Sequence, residues 1–188
     1  KSVRPIKEYP VETQTVLLPP NGDAEGATCE FMFARGCSYR CTYCHNSNKK
    51  VQEAQWLRYY DTDTIIGQIR TINEKHRLSR ICILDDDIVS DFRHFREFAE
   101  KYTNDLQIPY RAFARPEKIT DRNVRMLKES GCYLISMGLE SGSDRVRSTI
   151  LNRKMSNEQI ATAVDKCRDH GIRVILNAMI GIPGETES

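Results

Sequence analysis

The chain has 188 residues, 39% of them hydrophobic and 29% charged, with a formal net charge of +2. That length can bury one core, and the composition is that of a soluble globular domain. So small a net charge does not imply a polyanionic partner, and no apolar run approaches the roughly 18 residues of a membrane span.

Residues 1–26 carry four prolines and little periodicity, which predicts an extended lead-in or linker before a single domain over residues 27–188. The chain opens on Lys1 and stops at Ser188 in what reads as a loop opening a helix, so a fragment of a longer protein is expected, with room for a preceding domain. A first strand is predicted over residues 29–34, and the loop after it, Arg35 to His45, holds Cys37, Cys41 and Cys44 in the spacing C-x-x-x-C-x-x-C. Ile65, Ile69 and Ile72 then mark an amphipathic helix, and a strand over residues 81–84 runs into Asp85, Asp86 and Asp87. A helix starting near Ser90 or Asp91 shows Phe92, Phe95, Phe98 and Tyr102 on one face. The strand over residues 110–114 ends at Arg115, and Val124 and Leu127 mark a short helix.

A fourth strand, residues 132–137, leads to Glu140 and Ser141. The helix carrying Ile160, Val164 and Cys167 starts at a capping-box pattern, Ser156 to Gln159, and ends at Gly171, a residue suited to a left-handed cap. The last strand, residues 174–180, opens into Gly181-Ile-Pro-Gly184. Strand alternating with helix implies right-handed parallel crossovers, hence a doubly wound sheet or a barrel, with function at the strand C-termini. The cysteine loop, the three aspartates, Arg115, Glu140 with Ser141, and the Gly181–Gly184 turn all follow that polarity.

Seven cysteines, an odd number in a chain that shows no signal peptide, do not look like a disulfide framework, and a reducing cytosol is expected. Cys29, Cys82, Cys132 and Cys167 fall within apolar patterns and are expected in the core. Cys37, Cys41 and Cys44 are metal-ligand candidates. Thiolates hold iron–sulfur clusters normally one per iron, so three on a four-iron cube leave one iron open for chemistry. A closed cluster with Cys29 as fourth ligand, and a zinc site completed by His45 or Cys29, are the alternatives. The alternative for the aspartate run is a solvated turn, with a divalent-metal site weaker still, and the alternative for Glu140 is an ion pair with Arg115 or Arg153.

With Tyr43 before its last cysteine, the loop resembles the C-x-x-x-C-x-aromatic-C hallmark of the radical S-adenosylmethionine (radical SAM) enzymes. The resemblance runs from about Cys29 to Glu185 and includes Gly138 to Arg145, Asn152 to Lys154, and Met179 to Thr186. Those segments look like the branch containing cobalamin-dependent methylases and methylthiotransferases. The resemblance implies a partial (β/α)6 TIM-like barrel, with about five parallel strands present and a sixth in the intact protein. It implies a 4Fe-4S cluster on Cys37, Cys41 and Cys44, whose open iron is chelated by S-adenosylmethionine. An electron from the cluster would cleave that sulfonium to a 5′-deoxyadenosyl radical.

By the same resemblance Tyr43 lies beside the adenine, and Ile180 with the Gly181–Gly184 turn packs on it. Asp85 or Asp86, rather than Asp87, contacts the methionine amino group where many members carry Gly-Gly-Glu. Glu140, with Ser141, binds the ribose or methionine portion, and Arg153 pairs with the methionine carboxylate. Methyl transfer with cobalamin held by a domain outside this chain is the leading implied reaction. Rearrangement, cyclisation or sulfur insertion without cobalamin is the runner-up, and an electron-transfer protein with a closed cluster is the reading from another class. A reducing partner such as flavodoxin or ferredoxin is implied, and the substrate, a small molecule or peptide, is not identified. Asn177 faces either cofactor or core, and His45, Asn46, Arg111 and Arg115 are candidate substrate contacts.

Overall fold

The computed structural model describes residues 5–6, 15–17, 27–47 and 57–185. Most of the expected lead-in, and Thr186 at the end of the last motif, lie outside them. The strands are β1 (Pro5–Ile6), β2 (Thr15–Leu17), β3 (Ala27–Phe31), β4 (Ala34–Arg35), β5 (Arg58–Tyr60), β6 (Leu78–Ile83), β7 (Tyr110–Phe113), β8 (Cys132–Glu140) and β9 (Arg173–Ala178). The helices are α1 (Thr62–His76), α2 (Phe92–Asp105), α3 (Asp121–Glu129) and α4 (Asn157–Asp169).

The main sheet runs β2-β3-β6-β7-β8-β9. Its strands from β3 to β9 pair in parallel, and β2 closes one edge antiparallel to β3. The α/β architecture with five parallel strands is the expected one, and the sheet is open, with β9 at its other edge. Part of the lead-in is therefore built into the fold: Thr15–Leu17 pairs with Thr28–Glu30, and Pro5–Ile6 joins a small second sheet, β1-β5-β4.

Local chemistry sets the helix ends. Asp61 accepts from the Thr64 N–H at the start of α1, Asp91 from the Arg93 and His94 N–H groups at α2, and Thr120 from the Asn123 N–H at α3. The α4 capping box is complete, with Ser156 and Gln159 each bonding the other's backbone N–H. Gly171 follows at φ +67°, where a side chain would be strained. The apolar faces of α1 and α2 meet the sheet through Ile65, Ile69, Phe95, Phe98 and Tyr102. All four cysteines assigned to the core are buried.

Several strand boundaries differ from expectation, among them β6, which starts at Leu78, and β9, which ends at Ala178; two of the differences have a physical reason in the hydrogen bonds. The first strand ends at Phe31 because the N–H groups of Phe33 and Ala34 turn away to donate to Asp85 Oδ1, at 2.6 and 3.0 Å. Ala34 and Arg35 then pair with β5 instead. The fourth strand runs on to Glu140 because its ladder with β9 continues through a bulge, Gly138 opposite Asn177 and Glu140 opposite Ala178.

Candidate functional site

The cysteine loop leaves the C-terminal end of β3 and β4, on the edge where β6, β7 and β8 deliver Asp85–Asp87, Arg115 and Glu140. Its first turns are local: the Cys44 N–H donates to the Cys41 carbonyl at 3.1 Å, and the Ser47 N–H and hydroxyl donate to the Cys44 carbonyl at 3.0 and 2.7 Å. Its position is fixed from far away. The Thr42 N–H donates to the Leu151 carbonyl at 3.2 Å, the Thr42 hydroxyl to the Ile150 carbonyl at 2.6 Å, and the Asn152 amide to the Arg40 carbonyl at 2.8 Å. Asn152 holds this clasp at φ +52°, a conformation asparagine tolerates.

Cys41 is buried and Cys37 and Cys44 are partly exposed. Burial pushes the Cys37 thiol up to about 11, with Asp86 and Asp87 adding to the rise. Two guanidinium groups converge on Cys41: Arg115 Nη1 donates to its sulfur at 3.4 Å, and Arg153 Nη1 lies at 3.8 Å. Arg115 and Arg153 are only 6% and 5% exposed, and charges so deeply buried need partners. A neutral thiol is a weak acceptor, whereas a ligand thiolate is an anion that charge-assisted N–H donors suit. The donor set therefore fits a negatively charged sulfur centre.

Among the described residues no three His, Cys, Asp or Glu side chains are gathered as a single metal ion would require. Cys29, the candidate closing ligand, is committed to the core: it is fully buried, and its thiol donates to the Glu30 carbonyl at 3.8 Å. Burial pushes that thiol to about 11. His45 is exposed on a short 3-10 turn.

Tyr43, Glu140 and Arg153 form one network. The Tyr43 hydroxyl donates to Glu140 Oε1 at 2.8 Å, and Arg153 Nη1 donates to the Tyr43 hydroxyl at 3.2 Å. Arg153 Nη1 also stands 3.8 Å from Glu140 Oε1, and Nη2 donates to the Gly138 carbonyl at 2.8 Å. Among the described residues Arg153 Nε is buried without a partner. Burial and the bond to Glu140 both raise the Tyr43 hydroxyl above its usual range. The strand bulge swings Glu140 to φ +64°, a conformation costing about 1–3 kcal/mol, and the Met179 N–H bond to its carbonyl holds it there. A Cβ at Gly138 would come within 2.1 Å of Glu140 Oε1, so a larger residue there would force that carboxylate to move.

The three aspartates have different environments. Asp85 is buried and spends Oδ1 on two backbone N–H groups, and burial pushes its carboxyl to about 7. Asp86 is exposed and accepts from the Asn46 amide at 3.0 Å. Asp87 is buried, also pushed to about 7 chiefly by desolvation, and among the described residues its Oδ2 has no partner. Of the three, the least expected one keeps an unspent buried acceptor. Ser141 is buried, donates to Glu185 Oε1 at 2.6 Å, and lines a polar cavity of about 600 Å³ with Asp144, Arg145, Asn157 and Glu185. Ile180 is fully exposed beyond β9, next to Gly181 at φ +82°. Asn177 is exposed on β9, and Arg111 donates through Nε to the Cys82 sulfur at 2.9 Å.

The sequence reading had no place for Arg147, the largest fully buried side chain. Its guanidinium donates to the Ser141 carbonyl, to Asp144, to the Asn157 side-chain oxygen at 2.7 Å and to the Met155 carbonyl at 3.3 Å. It thus fixes the turn that follows Glu140. A sequence signal existed only in the i, i+3 pairing with Asp144, which many exposed helices also show.

The Radical SAM superfamily model matches residues 31–188. An uncharacterized methyltransferase from Pyrococcus horikoshii is 23% identical over 98% of this chain and 40% of its own length. The cytidylyl-2-hydroxyethylphosphonate methyltransferase of Streptomyces wedmorensis is 23% identical over 80% of this chain and 28% of its own length. The chain therefore spans less than half the length of these curated relatives. Among solved structures, the radical S-adenosylmethionine methyltransferase TsrM from Kitasatospora setae, with cobalamin and a 4Fe-4S cluster bound, superposes with a TM-score of 0.72. That match is 16% identical and covers 84% of this chain and 32% of TsrM. A family model spanning most of the chain, on a fold shared with a solved radical SAM enzyme, shows that the chain belongs to the radical SAM superfamily of enzymes.

Proposed function

We propose that Cys37, Cys41 and Cys44 hold a 4Fe-4S cluster and that the protein uses it to cleave S-adenosylmethionine reductively, in the service of cobalamin-assisted methyl transfer. The observation that carries this reading is the pair of buried guanidinium groups aimed at Cys41 in a three-cysteine loop. When bound, the cluster supplies the electron that breaks the sulfonium C–S bond to release methionine and a 5′-deoxyadenosyl radical.

The chain's own residues bind and orient. Glu140 and Ser141 receive the ribose or methionine hydroxyl and amino donors, and the Tyr43 ring flanks the adenine, its hydroxyl tied to Glu140. Ile180 supplies an exposed apolar face for the base. Arg153, with an unpartnered Nε, answers the methionine carboxylate. Asp86 is the exposed acidic group within the run and the candidate for the ammonium, since Asp85 is spent on backbone. The methyltransferase names of the two curated relatives, and the cobalamin bound to TsrM, favour methyl transfer. Cobalamin would be held outside residues 1–188. An external one-electron donor of the flavodoxin or ferredoxin kind completes the cycle.

The test is anaerobic reconstitution of the intact protein with iron and sulfide, then dithionite and S-adenosylmethionine, with chromatography of the products. Formation of 5′-deoxyadenosine and methionine by the wild type but not by Cys41→Ala is the expected result. A loaded cluster with no cleavage by the intact protein would overturn the proposal.

A further inference from the structure

Arg115 stands at the C-terminal end of β7 with its side chain 7% exposed, and its guanidinium is held on three sides. Nε and Nη2 both donate to Glu117 Oε1, at 2.8 Å from Nε. Its central carbon lies 3.6 Å from the centroid of the Tyr39 ring, and Nη1 reaches the Cys41 sulfur. Taking an ion pair out of water is costly, and here Glu117 also leaves Oε2 buried without a partner among the described residues. The stacked ring and the carboxylate together fix the plane of the fork, so the arrangement aims one N–H at one sulfur.

Arg153 also approaches Cys41, but its nearest bonds go to Gly138 and Tyr43, within the network assigned to S-adenosylmethionine. Arg115 bonds none of Tyr43, Glu140 or Ser141, and its acceptors are Glu117 and Cys41. Hydrogen bonds to the sulfurs and nearby charge are levers on an iron–sulfur potential, because they stabilise the more negative reduced state. Building on the cluster reading above, we infer that Arg115 is a positioning residue that raises the reduction potential of the cluster through its Nη1–H bond to the Cys41 sulfur. Glu117 and Tyr39 hold it in line.

The experiment is an anaerobic redox titration of the reconstituted intact protein without S-adenosylmethionine, followed by electron paramagnetic resonance, on wild type, Arg115→Met and Arg115→Lys. Iron and sulfide content equal to wild type is expected in both variants. Arg115→Met shifts the midpoint negative by about tenfold in the reduction equilibrium, which for one electron is about 59 mV. Arg115→Lys keeps the charge but cannot span Glu117 and Cys41 with a planar fork, so it shifts in the same direction by less. Unshifted midpoints in loaded variants overturn the role of Arg115 while leaving the cluster reading intact. Loss of the cluster in both variants assigns Arg115 to holding the loop and overturns the inference too. If only Arg115→Met fails to load, Arg115→Lys decides alone. A wild type that takes up no iron and sulfide refutes the cluster reading itself.

Discussion

Replacing Asp85 by asparagine should flatten the pH dependence of stability. Asp85 is 4% exposed, and its carboxyl is raised from 3.8 to about 7, first by desolvation and further by Asp86 and Asp87, against the two backbone bonds that lower it. The folded protein thus holds this proton more tightly than the unfolded chain, and stability falls as pH rises through the window from 3.8 to about 7. Each pH unit of that window is worth about 1.4 kcal/mol, so the whole fall attributable to Asp85 is on the order of 4 kcal/mol. An asparagine amide oxygen can accept from Phe33 and Ala34 without carrying a charge. Asp85→Asn should match the wild type near pH 4 and exceed it by most of that difference at pH 8. Asp87, raised to a similar value, leaves part of the slope in place. Equilibrium urea unfolding from pH 4 to pH 8, under anaerobic reducing conditions and read by circular dichroism, measures the difference. A variant that keeps the full wild-type slope would refute the reasoning.

Two further substitutions probe the Glu140 network and the turn behind it. Gly138→Ala places a methyl group on Glu140 Oε1 and should dislodge that carboxylate from Tyr43, weakening S-adenosylmethionine binding about tenfold by calorimetry on the reconstituted protein. Unchanged affinity would separate Glu140 from the cofactor. Arg147→Leu strips the Ser141 and Met155 carbonyls and the Asn157 side-chain oxygen of a buried donor and should cost about 3 kcal/mol or more in urea unfolding. A loss below about 1 kcal/mol would mean that water replaces the guanidinium.

The parallel strands and the edge that carries the site were legible because buried parallel strands write continuous apolar runs and helices write their caps. Asp91 and Ser156 begin α2 and α4 as their side-chain chemistry dictates. The cysteine triplet stood out because its spacing is local. What could not be read depends on partners far along the chain. The first strand breaks after Phe31 because of a carboxylate 52 residues away from Phe33, and no window around Phe33 contains that cause. Three adjacent aspartates look alike in sequence, yet one is spent on backbone, one is exposed and one is buried with a free oxygen. Arg115, Arg147 and Arg153 sit among many arginines, and only the tertiary fold buries them.

The clasp between the cysteine loop and the segment after β8 has a consequence for how the protein is made. Its two side-chain bonds join residues 108 and 112 positions apart, so the thiols leave the ribosome long before the groups that hold their loop exist. The loop reaches its clasped geometry only after the second half of the parallel sheet has been released. A nascent chain stalled before Ile150 would carry three unclasped thiols, open to oxidation.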